Sequence, residues 1–99
     1  MNISKHAKQR MKERCGFNGK SQERMAQKAL EYGITHAQTK GRLKKWITSL
    51  FFKNTNANNI RVYGDNAYIF CGSTLVTIIR VPANIRKDMQ KMIRREPNE

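Results

Sequence analysis

Near residue 54 the spacing of the apolar residues changes, and with it the kind of backbone that can bury them. Before that point Leu43, Trp46, Ile47, Leu50 and Phe51 recur at i, i+3, i+4, i+7 and i+8 across Gly41–Phe52. That spacing places them on one side of an α-helix. After it, Ile60–Tyr63, Ala67–Cys71 and Thr74–Val81 are rich in β-branched and aromatic residues, separated by Gly64-Asp65-Asn66 and Gly72-Ser73. Short glycine-containing gaps between such runs predict two successive hairpins, hence a three-stranded antiparallel meander. The polar run Asn54–Asn59 is the break between the two regimes.

Two further helices precede the break. Ile3, Ala7, Met11 and Cys15 recur every four residues, with Ser4 as an N-cap and Gly16 as a left-handed stop. Ser21 caps a second helix whose apolar face is Met25, Ala26, Ala29 and Leu30, and Gly33 closes it, with Ile34 placed to pack back. After the strands, Pro82 ends the meander, and Ile85, Met89, Met92 and Ile93 mark a last helix before a frayed tail at Glu96–Glu99. The predicted elements are helices at 4–14, 21–32, 41–52 and 84–95 and strands at 60–63, 67–71 and 74–81 of a single domain, residues 1–99. Helices followed by strands predict an α+β fold with the helices on one face of the sheet.

Charge narrows the function. Twenty Lys and Arg stand against seven Asp and Glu, a net charge of +13. A small domain so unbalanced repels itself, and a polyanion relieves the repulsion. Residues 1–53 hold thirteen of those cations and three acids, so the helical half carries most of the field. Nucleic acid is the expected partner, RNA ahead of DNA. The scattered acids and the two cysteines, Cys15 and Cys71, form no ligand set for a metal and no disulfide framework. Gly16 and Gly19 fit no phosphate-binding loop, so no cofactor is expected. No apolar run approaches the roughly 20 residues of a membrane span, and the N-terminus lacks the apolar stretch of a secretory signal, which together predict a cytoplasmic protein.

Within the first helix His6, Arg10 and Arg14 fall on one strip, with Lys5, Lys8 and Lys12 farther round. Imidazole moves protons near neutral pH, and a guanidinium offers a planar fork to phosphate. RNA cleavage without metal needs those parts: a base for the 2′-hydroxyl, an acid for the leaving oxygen and cations for the phosphorane. His36 reads as a loop or capping histidine. Arg61 and Tyr63 share a face of the first strand, whereas Thr77 and Arg80 differ in parity and separate unless a bulge intervenes. Trp46 and Phe51 read as core, and Phe52 falls beside that face.

The segments ISKHAKQRMKER at 3–14 and VYGDNAYIFCGSTLVTIIRVP at 62–82 together resemble the RelE/BrnT-like group of the Barnase–EndoU–colicin–RelE superfamily of metal-independent ribonucleases. His6, Ala7, Arg10 and Arg14 match its helix pattern, and Leu75, Val76, Thr77, Ile78 and Arg80 its late strand. About a third of the chain is covered, and the helix 41–52 with its link 34–40 looks like an insertion. The resemblance implies a RelE-like fold and a toxin-type endoribonuclease, with a cognate antitoxin as partner. It implies His6 as base or acid, Arg10, Arg14 and Arg61 on the scissile phosphate, and Thr77, preferred over Arg80, orienting it. Lys5, Lys12, Arg42, Lys44 and Lys45 would then track the flanking backbone. The sequence also resembles small proteins of phages and mobile elements. That suggests a second reading: a non-catalytic inhibitor that occupies the nucleic-acid channel of a host nucleoprotein complex, in defence (as anti-CRISPR proteins do) or transcription. A helix-turn-helix over 21–52 is a third, opposed by a connection, Gly33–Lys40, longer than the usual turn.

Overall fold

A computed structural model describes residues 2–95, and the side chains of residues 2–89. Along the chain run β1 (Asn2–Ile3), α1 (Lys5–Cys15), α2 (Lys20–Tyr32), β2 (Ile34–Thr35), a 3-10 turn (His36–Gln38), α3 (Gly41–Lys53), β3 (Asn59–Tyr63), β4 (Asn66–Cys71), β5 (Thr74–Arg80) and α4 (Ala83–Arg95). The protein is thus α+β, with four helices and one mixed five-stranded sheet among the described residues. The strand order is β1-β5-β4-β3-β2.

The meander expected from the hairpin signals is the centre of this sheet, β3-β4-β5, antiparallel throughout. Both hairpins turn on two residues, Gly64-Asp65 and Gly72-Ser73. In each the glycine has positive φ, 60° and 62°, while the second residue does not. Glycine in first place is what a type II′ turn requires. The meander alone is not the whole sheet. β1 adds parallel to β5 through Asn2↔Thr74 and Ile3↔Leu75, and β2 adds antiparallel to β3 through Ile34↔Val62 and Thr35↔Arg61. Two-residue strands are too short to show any period, so nothing in the pattern announces them.

The expectation of helices on one face is corrected. Ala7 and Met11 of α1 and Ala26 and Ala29 of α2 bury against Tyr68, Phe70, Leu75 and Ile78. Leu43, Ile47 and Leu50 of α3 and Ile85 and Met89 of α4 bury against Ile60, Val62, Ala67 and Ile69 on the opposite face. The sheet is sandwiched between two helical layers. The physical reason lies in β4, where Ala67, Tyr68, Ile69 and Phe70 are all buried. An apolar run without alternation has to be covered on both sides. Ile34 correspondingly joins the core on the α3 side instead of folding back on α2.

Local signals explain most helix ends. Ser4 Oγ accepts the Ala7 N–H at 3.0 Å. Gly16, at φ 71°, ends α1 and donates to the Lys12 carbonyl at 3.2 Å. The expected cap of α2 is displaced: Gly19 occupies that position, and Ser21 Oγ instead bonds Asn18 N and Asn18 O within the loop. Gln22, outside the predicted apolar face, is buried, and its amide donates to the Lys8 and Phe17 carbonyls at 3.0 Å each, fastening α2 to α1. The Met92 and Ile93 side chains and the tail 96–99 lie outside the described residues.

Candidate nucleic-acid interface

The register of β5 decides which polar residues share a face. Ile69 pairs with Thr77 but Phe70 with Leu75, so Val76 is an extra residue, a β-bulge. Thr77 therefore lies on the face of Ile69, under the α3/α4 layer, where it is buried and its hydroxyl reaches only the Ile78 carbonyl at 3.5 Å. The helix that carries His6 packs on the other face. The structure does not bring Thr77 to His6, Arg10 and Arg14. The bulge precedes Thr77, so it leaves the opposed parity of Thr77 and Arg80 intact, and Arg80 is the one on the α1 face.

On that face the last cross-strand row is Tyr63↔Asn66↔Arg80. Cys15, at the end of α1, sits over it, its Sγ accepting from Asn66 Nδ2 at 3.4 Å. Burial pushes the thiol above its ordinary range, opposed by the Asn66 bond and by the charges of Arg80 and Arg14, which both act on the sulfur. Arg14 and Arg80 thus both lie within electrostatic reach of the Cys15 sulfur. Tyr68 lies one row back. Its hydroxyl is pushed well above its usual range, first by burial and then by Cys15 and Tyr63. Arg61, paired with Tyr68, is half-buried on the same face, its guanidinium bonded to Asn59 Oδ1 at 3.0 Å and to the Gly33 carbonyl at 3.4 Å.

His6, Lys5, Lys12 and Arg14 are exposed on α1 and Arg10 is half-buried. Because Gln22 ties α2 to the Lys8 side, helical geometry turns the His6–Arg10–Arg14 strip away from α2, toward the outer edge of β5. Past Leu75 no strand of the described residues pairs with that edge. His6 makes no hydrogen bond within the described residues, so no second side chain orients it.

The other predicted cations stand on the far layer. Lys44 and Lys45 are exposed on α3 and, with Gly41 and Thr48, line an open recess of about 400 Å³. Phe52, one turn beyond Thr48, is 79% exposed. Arg42 is committed elsewhere: its guanidinium takes both carboxylate oxygens of Asp88, at 3.1 and 3.2 Å, and the Asn84 carbonyl at 3.1 Å, joining α3 to α4. His36 is a packing histidine. Thr48 Oγ1 donates to the Lys44 carbonyl at 2.8 Å, so His36 Nε2 is the donor in their 2.9 Å contact, and its ring meets Phe51 edge-on at 5.5 Å.

Asn66, Arg80 and Tyr68 were not singled out by sequence reasoning as a group. Asn66 and Tyr68 share a face by the period of two, but Arg80 joins them only through a bulge that no residue type announces. Among the described residues no three His, Cys, Asp or Glu side chains converge as metal ligands, and no helix is long and apolar enough to cross a membrane. Comparison of the chain with protein-family models, with curated proteins and with solved structures returns no match.

Proposed function

We propose that the protein acts on RNA through the basic ridge of α1, in the manner of the RelE-like ribonucleases its sequence resembles. The observation that carries this reading is the His6–Arg10–Arg14 strip, exposed at both ends and half-buried at Arg10, turned toward the uncovered part of the β5 edge. Helix positions four residues apart stack on one side, so three side chains able to hold phosphate or move a proton follow one line. In the catalytic form of the proposal His6 takes the 2′-hydroxyl proton, or gives one to the departing 5′-oxygen. Arg10 and Arg14 stabilise the charge on the phosphorane between these steps. Thr77, on the opposite face, has no part in it. No metal enters the scheme, and a cognate antitoxin would be the natural protein partner.

The experiment is incubation of purified protein with total RNA in EDTA, wild type beside His6→Ala. Cleavage by wild type alone supports the ribonuclease with His6 in its site. A second reading, a non-catalytic module that occupies the nucleic-acid channel of a host nucleoprotein complex, is favoured by one observation: His6 has no partner to orient it, which nucleophilic and acid–base sites ordinarily supply. Salt-sensitive RNA binding without cleavage, also in the presence of translating ribosomes, selects that reading.

A further inference from the structure

We infer that the row Tyr63–Asn66–Arg80, with Arg14 beside it, is a subsite for one nucleotide of single-stranded RNA: Arg14 and Arg80 hold a phosphate and Tyr63 stacks on the adjoining base. The inference rests on the RNA reading and deepens it. Four observations support it. The register makes Tyr63, Asn66 and Arg80 immediate cross-strand neighbours on the α1 face. Arg14 and Arg80 come from different elements but meet the same row: Arg80 pairs with Asn66, Asn66 bonds Cys15, and Arg14 precedes Cys15 on α1, both charges lying within electrostatic reach of the sulfur. Neither Arg14 nor Arg80 has an ion-pair partner among the described residues, in contrast to Arg42, whose charge Asp88 takes up. An anion held by both lowers the self-repulsion of so basic a surface. Finally, Tyr68 is 1% exposed and its hydroxyl makes no hydrogen bond within the described residues. It belongs to the apolar cluster against which Cys15 and Tyr63 pack, one row behind Asn66. A buried hydroxyl without a partner is costly, and an acceptor brought by a ligand removes that cost.

The occupant follows from the chemistry. Two guanidinium forks select a phosphate over a neutral ligand. A half-buried tyrosine ring in the adjacent position suits a base, and base stacking is tolerant of sequence. Asp65, in the β3–β4 turn, is an exposed acid next to Asn66 in the chain.

The two cysteines supply the test. Cys15 lies on the subsite, whereas Cys71 is exposed at the opposite end of β4. The full chain is alkylated with iodoacetamide with and without a short fluorescein-labelled oligouridylate, and each cysteine is followed by mass spectrometry. The oligouridylate's affinity is measured by anisotropy for wild type, Arg80→Ala, Tyr63→Leu, Tyr63→Phe and Thr77→Val. The expected result is slowed alkylation at Cys15 and an unchanged rate at Cys71. Arg80→Ala weakens binding and lowers the magnitude of its salt slope by about 0.7, as removal of one phosphate-binding cation from a single strand should. Tyr63→Leu weakens it roughly tenfold or more, while Tyr63→Phe keeps the ring and the affinity. Thr77→Val, on the other face, binds as wild type. If the RNA binds but Cys15 reacts at its free rate and Arg80→Ala is without effect, the subsite is wrong and the RNA reading stands. If the wild-type chain binds no RNA at low salt, the RNA reading fails and the subsite with it.

Discussion

Ser4 uses one hydroxyl twice. It accepts the Ala7 N–H, capping α1, and donates to the Val76 carbonyl at 2.9 Å, bonding the helix start to the bulge of β5. Ser4→Ala therefore removes a cap and leaves the Val76 carbonyl short of a donor, with an expected loss of about 1–2 kcal/mol, measured by urea denaturation. Cys15 gives a pH signature. Its folded state favours the neutral thiol, so that preference stabilises the fold fully below the thiol's ordinary value of 9.0 and is lost as pH rises through the higher folded value. Between 9.0 and that folded value the stability of wild type should fall more steeply with pH than that of Cys15→Ala, and equal slopes there would contradict the assignment. Gly33 is a steric case. A Cβ there would meet the Ala29 carbonyl oxygen and the Arg61 Cβ, both too close for a real contact. Gly33→Ala has to push α2 off β3, at about 1–3 kcal/mol, the range for overpacking, seen as a lowered Tm.

At the scale of elements, α3 divides its cations between structure and surface. Arg42 is spent on α4, through Asp88 and Asn84, while Lys44 and Lys45 project into solvent. A guanidinium already holding a carboxylate gains little from phosphate. Arg42→Ala is expected to change RNA affinity less than Lys45→Ala does in the same salt titration. A larger effect from Arg42→Ala would mean that the α3–α4 clamp opens on binding. The β5 bulge is the other deciding element. With the two-residue turn at Gly72-Ser73 and no bulge, Thr77 would pair with Tyr68 and share the α1 face. One extra residue at Val76 moves the pairing on by one, so that Thr77 meets Ile69 and Arg80 meets Asn66. A single-residue shift exchanges every side chain between faces.

The whole molecule measures 32 × 30 × 23 Å, with basic surface on both helical layers. The α1 ridge and the α3 lysines cannot touch one straight stretch of RNA, because the sheet stands between them. A triple Lys5/Lys8/Lys12→Ala change and a double Lys44/Lys45→Ala change should each flatten the dependence of log K on log salt, by about 0.7 for every phosphate of the single strand that is no longer neutralised. If the RNA uses the α1 ridge, the first variant loses more slope per charge removed. If the two slopes fall equally per charge, the strand wraps both layers.

Much of this was legible before folding. The helical period of Leu43–Phe51, the glycine turns of the meander, Ser4 and Gly16 at the ends of α1 and the weight of charge in the first half are local properties. Local residues suffice to determine them, because propensity, capping and turn geometry act over a few bonds. Even the second helical layer was written into the unbroken apolar run Ala67–Phe70, which no one-sided sheet could bury. What only the tertiary structure decided is which residues meet: that Arg80 and not Thr77 stands under α1, that Asn66 reaches Cys15, that Arg42 is taken by Asp88. Those outcomes turn on a bulge, two strands of two residues and bonds between distant residues, such as Cys15 and Asn66, 51 positions apart. Each is a choice among pairings of similar local cost, and only the packing of the sheet between its two helical layers selects one.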